Sequence, residues 1–207
     1  MRLLVVGAGG HAKVVIDAAE AAGFTIAGVI GTPADEREVL GHRVSPGDAQ
    51  VGADGFIIAI GDNALRARRF AEFAASGLAP ASVVHPSAVL GKDVVIGDGT
   101  FLAAGVIVNA GARIGADTIL NTACSVDHDC SIGEHAHVGP QVALCGAVTI
   151  GDGALLGVGS CASPGVSVGE WSIVGAGAAV VDDLPANTVC VGVPARPIRT
   201  SEAPSGD

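Results

Sequence analysis

The chain has 207 residues, enough for one large domain or two small ones. Its formal net charge of −10 argues against nucleic acid or an anionic membrane surface as partner, because both reward basic patches. With 31 glycines, five Phe, one Trp and no Tyr, the composition suits a narrow aliphatic core with tight corners. No run of about 18 apolar residues is present, so no membrane insertion is expected. The opening stretch MRLLVVGAGGHAK leads its short apolar run directly into a glycine turn. That is not the layout of a signal peptide, and a cytoplasmic protein is expected. Cys124, Cys130, Cys145, Cys161 and Cys190 form no CxxC pair and read as small buried thiols.

Residues 1–83 alternate strand and helix patterns and predict a small parallel α/β domain. A buried strand is expected at 3–6, followed by Gly7-Ala8-Gly9-Gly10. A helix then places Ala12, Val15, Ile16 and Ala19 at helical spacing. Further strands are expected at 25–30 and 55–60. A second helix is expected at 63–76, with Leu65, Phe70 and Phe73 inward and Arg66, Arg68 and Arg69 at or near the surface. Residues 79–82, Ala-Pro-Ala-Ser, read as the hinge to the second part of the chain.

The run Gly7-Ala8-Gly9-Gly10-His11-Ala12 nearly matches GxGxxG/A after a strand. Its backbone N–H groups and helix N-terminus can hold a pyrophosphate, with Lys13 available for charge. A nucleotide diphosphate is one reading. A nicotinamide dinucleotide is another, although the second strand ends in Gly31-Thr32 and Asp35 and Glu36 come late for a ribose. Glycines that only let the helix pack close to the strand are the third. Gly61-Asp62-Asn63 follows the last strand at the same end of the sheet, where open α/β sheets bind ligands. A bare turn with a helix cap reads equally well there.

From Val84 to Val180 every sixth residue is aliphatic, and a small or aliphatic residue, occasionally Thr, follows four places later. A fixed six-residue period over seventeen hexads means stacked units, hence a β-helix over residues 84–185. With three hexads per coil, residues 18 apart stack about 4.8 Å from one another. Residues 186–207 remain as a C-terminal loop and tail, the last nine expected to be disordered.

His128 lies in Val126-Asp127-His128-Asp129, two places after an inward guide residue, on a corner with a carboxylate on each side. It is either a solvated polar corner or a general base oriented by a carboxylate. Either neighbour could orient it. His137 is half a coil away on another face, so the two histidines share a site only if neighbouring coils pack side by side. His135 is expected to be exposed and His85 structural. No histidine spacing supports a metal site, and none is expected.

Together GAGGHAKVV (7–15), AIGDN (59–63), ILNTACSVDHDC (119–130), LGVGS (156–160) and GVPARPI (192–198) are similar to bacterial nucleotide-amino-sugar N-acetyltransferases of the left-handed β-helix superfamily. The bacillosamine-pathway and perosamine N-acetyltransferases are among the enzymes the chain resembles. The resemblance covers nearly the whole chain. It implies a Rossmann-like α/β unit ahead of a left-handed parallel β-helix, and a homotrimer with acetyl-CoA between subunits. A nucleotide-linked amino sugar would sit on the first domain. By the same resemblance His128 is the base and Asp129 its partner, while Asn121 is a polar residue on the substrate side. Gly9, Gly10, His11, Lys13, Gly61, Asp62 and Asn63 would then contact the nucleotide sugar, and His137, Gly146 and Gly157 acetyl-CoA. The missing acidic pair after the second strand leaves uracil, guanine and thymine open. O-acetylation of a sugar such as sialic acid and a non-catalytic nucleotide-sugar-binding scaffold are the competing functions.

Overall fold

Glycine turns cut the first part of the chain into short apolar runs, and each run becomes one element. The computed structural model describes residues 1–32, 37–47 and 52–201. In order come β1 (Arg2–Val6), α1 (Gly10–Ala21), β2 (Thr25–Gly31), β3 (Glu38–Val39), β4 (His42–Pro46), β5 (Gly55–Ile58) and α2 (Asn63–Ala75). The sheet runs β3-β4-β2-β1-β5. β1 lies parallel to β2 and β5, β2 lies parallel to β4, and only β3–β4 is antiparallel. That hairpin edge escapes a reading by pattern, since β4 carries a single aliphatic residue, Val44. Asp35 and Glu36 lie outside the described residues.

The β1 face made by Leu3 and Val5 joins α1 and the coil in one core, while Leu4 and Val6 pack with Phe56, Ile58 and Phe73 on the α2 side. Gly7 is required by geometry. Its φ is +120°, and a Cβ there would stand 2.6 Å from the Ala59 carbonyl oxygen.

The expected hinge is tied down. Phe56 donates its N–H to Ala79 O and Ala81 donates to Phe56 O, so the linker continues the sheet beside β5. Ser82 Oγ then donates to Gly97 O in the coil.

The six-residue period becomes 17 two-residue strands, from Val83–Val84 to Ala179–Val180, shared among three parallel sheets of a left-handed β-helix. Pairing follows the 18-residue step: Ile107 with Ser125, Ser125 with Ala143, Ala143 with Cys161. The second residue of each strand points inward, and Leu120, Val138 and Leu156 stack fully buried. Truncating one of them, Leu120→Ala, would cost about 2–5 kcal/mol through lost burial and a cavity. Corners turn through left-handed φ at Asp117, Ala123, Asp129, His135, Gln141 and Ala147 as well as at glycines. The buried hydroxyls of Thr100 and Thr118 donate to Gly115 O and Gly133 O.

Beyond the coil, Thr188–Val191 adds to the sheet beside Ile173–Val174 and pairs antiparallel with Arg196–Thr200. Residues 199–201 are therefore ordered, against the expectation of a tail from residue 199. Arg199 and Thr200 are in a strand, and Ser201 Oγ donates to Trp171 O. Residues 202–207 lie outside the described residues. No helix among the described residues is long and apolar enough to cross a membrane.

Cys124, Cys130 and Cys190 are buried as expected, but Cys145 and Cys161 are exposed; all five thiols are free. Cys161 opens its strand and so points away from the core.

Candidate active site

The glycine loop and the end of β5 enclose a cavity of about 850 Å³. Gly7, Gly9, Gly10, His11, Gly31, Thr32, Gly61 and Arg69 are among the residues lining it. Gly9 and Gly10 have open space where a Cβ would project, so the backbone there is bare towards the cavity. Lys13, exposed on α1, does not line it, nor do Asp62 and Asn63. Asp62 caps α2, accepting the Leu65 N–H at 2.8 Å.

A second centre forms around His128, at the corner after the strand Ser125–Val126. Asp129 takes a φ of +59°, which turns its carboxylate back onto the ring: Nδ1 and Oδ2 are 2.8 Å apart. A carboxylate accepts only, so the ring proton sits on Nδ1 and Nε2 keeps its lone pair. The hydrogen bond to Asp129, and next the charge of Asp127, raise the His128 pKa above its ordinary 6.5. Asp127 has another task. Its Oδ1 accepts the His128 backbone N–H at 2.8 Å and Asn109 Nδ2 at 2.8 Å, from one coil below. These bonds, Asn109 first, hold the Asp127 carboxyl below its usual pKa. Asp129 is thus the ring's partner and Asp127 the backbone's. Gly146 lies one coil above, facing His128 Nε2.

A third group sits where the α/β unit meets the coil. His137 belongs to the strand His137–Val138, in a different sheet from Ser125–Val126. Asn121 Oδ1 accepts the Thr122 N–H at 2.8 Å, which turns Asn121 Nδ2 towards His137 Nε2 at 3.0 Å. Nε2 is therefore an acceptor, and the His137 proton rests on Nδ1, 3.4 Å from Gly61 O. The His11 ring lies 6.2 Å from that of His137 and 5.5 Å from that of Phe101, and its buried Nε2 has no hydrogen-bond partner. Burial first, then the charge of Arg66, lowers both histidines to about 4, so both are neutral near pH 7.

Several expected residues converge, then, but in two places on one chain. Gly9, Gly10, His11 and Gly61 line the cavity, and Asn121 and His137 adjoin it through Gly61. His128, Asp129 and Gly146 gather on another corner. Gly157 is taken up by packing: a Cβ there would come within 2.6 Å of Ala176 N in the coil above. His135 is not exposed as expected; its ring is part-buried, Nδ1 lying 2.8 Å from Asp117 Oδ2.

Arg66 is the residue that sequence reasoning misplaced. It is fully buried, whereas Leu65, expected inward, is exposed. The signal was available in the helix spacing. Positions 63, 66, 70 and 73 fall on one face, so the apolar stripe of Phe70 and Phe73 carries Arg66 and Asn63 with it.

The exposed imidazole–carboxylate pair stands on a corner of the β-helix, apart from the glycine-loop cavity of the α/β unit. Residues 2–73 match the PglD N-terminal domain family, and residues 147–181 match the hexapeptide repeat of succinyl-transferase. The chain is 40% identical to perosamine N-acetyltransferase from Caulobacter crescentus, a mutant solved in complex with CoA and GDP-perosamine. The alignment covers 96% of this chain and 97% of that one, with a TM-score of 0.92. The acetyltransferase domain of PglB from Neisseria gonorrhoeae, solved with acetyl coenzyme A, is 32% identical over 95% of this chain and 98% of its own, with a TM-score of 0.88. Galactoside O-acetyltransferase of Escherichia coli is 44% identical over 52 residues, 25% of this chain and 26% of its own length. The chain spans 26% to 40% of the length of such curated relatives. The chain belongs to the sugar N-acetyltransferases of the hexapeptide-repeat superfamily.

Proposed function

We propose that the protein transfers the acetyl group of acetyl-CoA to the amine of a nucleotide-linked 4-amino-4,6-dideoxy sugar. The site is shared between neighbouring copies of a homotrimer in the cytoplasm. The observation that carries this reading is the His128–Asp129 pair, whose Nε2 is left as a free base on an exposed corner. The amine nitrogen attacks the thioester carbonyl and Nε2 takes a proton from it. The tetrahedral intermediate collapses with loss of the C–S bond, and the same proton passes to the departing CoA sulfur. Asp129 keeps the imidazole in the tautomer this needs and stabilises the imidazolium.

The acceptor's nucleotide fits the glycine-loop cavity, where bare backbone at Gly9 and Gly10 and the start of α1 suit a pyrophosphate. Perosamine N-acetyltransferase, solved with CoA and GDP-perosamine, supports both substrate classes and makes a GDP-linked sugar the first to try. Assembly is supported by the outward column Val89, Ile107, Ser125, Ala143, Cys161 and Ala179, which stacks without a charge. Val89 is 59% exposed and Ile107 42% exposed on one chain. This column borders the His128 corner; in the proposed trimer a second coil covers it and sets that corner beside another copy's Asn121 and His137. Acetyl-CoA would lie in the groove between them, with its thioester near Gly146.

The reading is tested by incubating the protein with acetyl-CoA and a panel of GDP-, UDP- and dTDP-linked 4-amino sugars while following free thiol. Turnover with at least one nucleotide-linked amine, and none with the free sugars, is expected. Thiol release only with sugar hydroxyls would favour O-acetylation, as in the galactoside enzyme. Binding without turnover would favour a non-catalytic scaffold.

A further inference from the structure

Arg66 is a fully buried arginine at the seam between the α/β unit and the coil. Its five N–H donors meet five acceptors. Nε donates to Asp117 O at 2.9 Å, Nη1 to Ile60 O at 3.2 Å and Asn63 Oδ1 at 2.8 Å, and Nη2 to His135 O and to Ala136 O at 3.2 Å. Asn63 extends the contact, its Nδ2 donating to Gly153 O at 2.9 Å and Ala154 O at 3.2 Å. Asp117, His135 and Gly153 are 18 residues apart and share left-handed φ values of 52°, 56° and 63°. They are one corner of three successive coils. The Thr100 and Thr118 hydroxyls serve Gly115 O and Gly133 O, whereas the side chains of α2 serve the carbonyls of Asp117, His135, Ala136, Gly153 and Ala154. The buried Asp117 carboxylate stands 3.4 Å from Arg66 Nε and completes the charge pairing.

The other side of the same guanidinium holds the loop at 60–63. With Ile60 O and Asn63 Oδ1 both fixed, Gly61 O faces His137 Nδ1 while Gly61 itself lines the cavity. We infer that Arg66 is a positioning residue: it sets the distance between the nucleotide cavity and the Asn121–His137 pair, so that a bound amine arrives in register with the acetyl group. The inference rests on the acetyl-transfer reading above. Arg66 touches no reacting atom. Its effect passes through the loop it holds, where a displacement of about 1 Å is enough to slow a reaction about 100-fold. Lysine cannot replace it, since an ammonium has only about three donors and no planar fork.

The test uses Arg66→Lys, Arg66→Met and Asn63→Ala, the last removing one arm of the contact with the least disturbance of folding. For each, kcat and both KM values are measured, together with the Kd for GDP and UDP by calorimetry. The expected result is a kcat lowered by about 10- to 100-fold in the Arg66 variants, and less in Asn63→Ala. Nucleoside diphosphate affinity, set mainly by Gly9, Gly10 and the start of α1, falls by less than kcat in every variant. If the Arg66 variants do not fold, the same split between kcat and Kd in Asn63→Ala carries the test. A folded Asn63→Ala or Arg66 variant with wild-type kcat would overturn the positioning role alone. So would equal losses in kcat and nucleotide affinity. Absence of wild-type turnover would overturn the reaction and the positioning role with it.

Discussion

Gly146 lies directly against the imidazole of His128, one coil above it: a Cβ at this position would come within 2.5 Å of Nε2 and 2.6 Å of Cε1. The glycine thus keeps clear the space beside the unprotonated ring nitrogen of His128, where the proposed reaction puts the substrate amine. Since the imidazole is exposed and can swing aside, Gly146→Ala should leave the melting temperature unchanged. It should lower kcat by about 10- to 100-fold, because the base is moved rather than removed. Steady-state kinetics beside a thermal melt read both quantities. A kcat at the wild-type level would mean that Nε2 is not used where the structure holds it.

The two carboxylates beside His128 predict different losses. His128→Ala should lower kcat by about 10²- to 10⁴-fold with little change in KM, as expected for a base acting in the transition state. Asp129→Asn should cost less and Asp127→Asn least, since Asp127 bonds the His128 backbone N–H and the Asn109 amide rather than the ring. The base must be neutral to act. Because Asp129 raises the His128 pKa, the acid limb of kcat/KM in the wild type should lie above the ordinary histidine value of 6.5. Asp129→Asn should move that limb to lower pH while lowering the plateau. A limb that does not move would remove Asp129 from the role.

His11 and His137 predict how stability depends on pH. Their folded-state pKa of about 4 lies below the 6.5 of an unfolded chain. Between those values the unfolded state binds protons that the folded state does not, so stability falls as pH drops from 6.5 towards 4 and is unaffected above 6.5. Each ring contributes at most about 3 kcal/mol to this loss. Urea midpoints measured at about pH 7, 6 and 5 should decline in the wild type. The decline should flatten in the double variant His11→Gln with His137→Gln. An equal decline in that variant would assign the effect to other groups.

The glycine loop should separate folding from binding. Gly7→Ala forces a side chain onto φ +120° and against the Ala59 carbonyl, so it should lower the melting temperature. Gly10 has no such constraint, and its substituent meets open space at the cavity wall. Gly10→Val should fold and raise the KM for the nucleotide sugar while leaving that for acetyl-CoA unchanged. Equal rises in both KM values would give Gly10 a structural role.

Periodicity made the coil legible residue by residue, because a hexad pattern leaves each guide position only one direction to point. The corner placement of His128 followed from it, two places after Val126, and so did its separation from His137. The α/β unit was legible as strands and helices, but not in the β3–β4 edge, where two short segments carry one aliphatic residue each, Val39 and Val44, too few to make a pattern. The seam between the units was not legible at all. Arg66 and His135 read as surface residues, since charge and ring polarity outweigh position in any pattern argument. Arg66 is buried on the carbonyls of Asp117 and Ala136, and His135 against the Asp117 carboxylate, groups that only the folded coil brings into line. The choice between Asp127 and Asp129 likewise needed the left-handed φ at Asp129.

Subunit mixing tests the composite site most directly. His128→Ala and His137→Ala are each purified, each assayed with acetyl-CoA and the best nucleotide-linked amine from the panel, then unfolded together and refolded as one population. Each variant alone should be nearly inactive. In mixed trimers an intact site forms wherever the His128 of one copy meets the His137 of its neighbour, which random assembly gives at about one quarter of the interfaces. Activity should therefore return to about a quarter of the wild-type value. A mixture no more active than its separate components would contradict a site shared between copies, and would place the chemistry within a single chain.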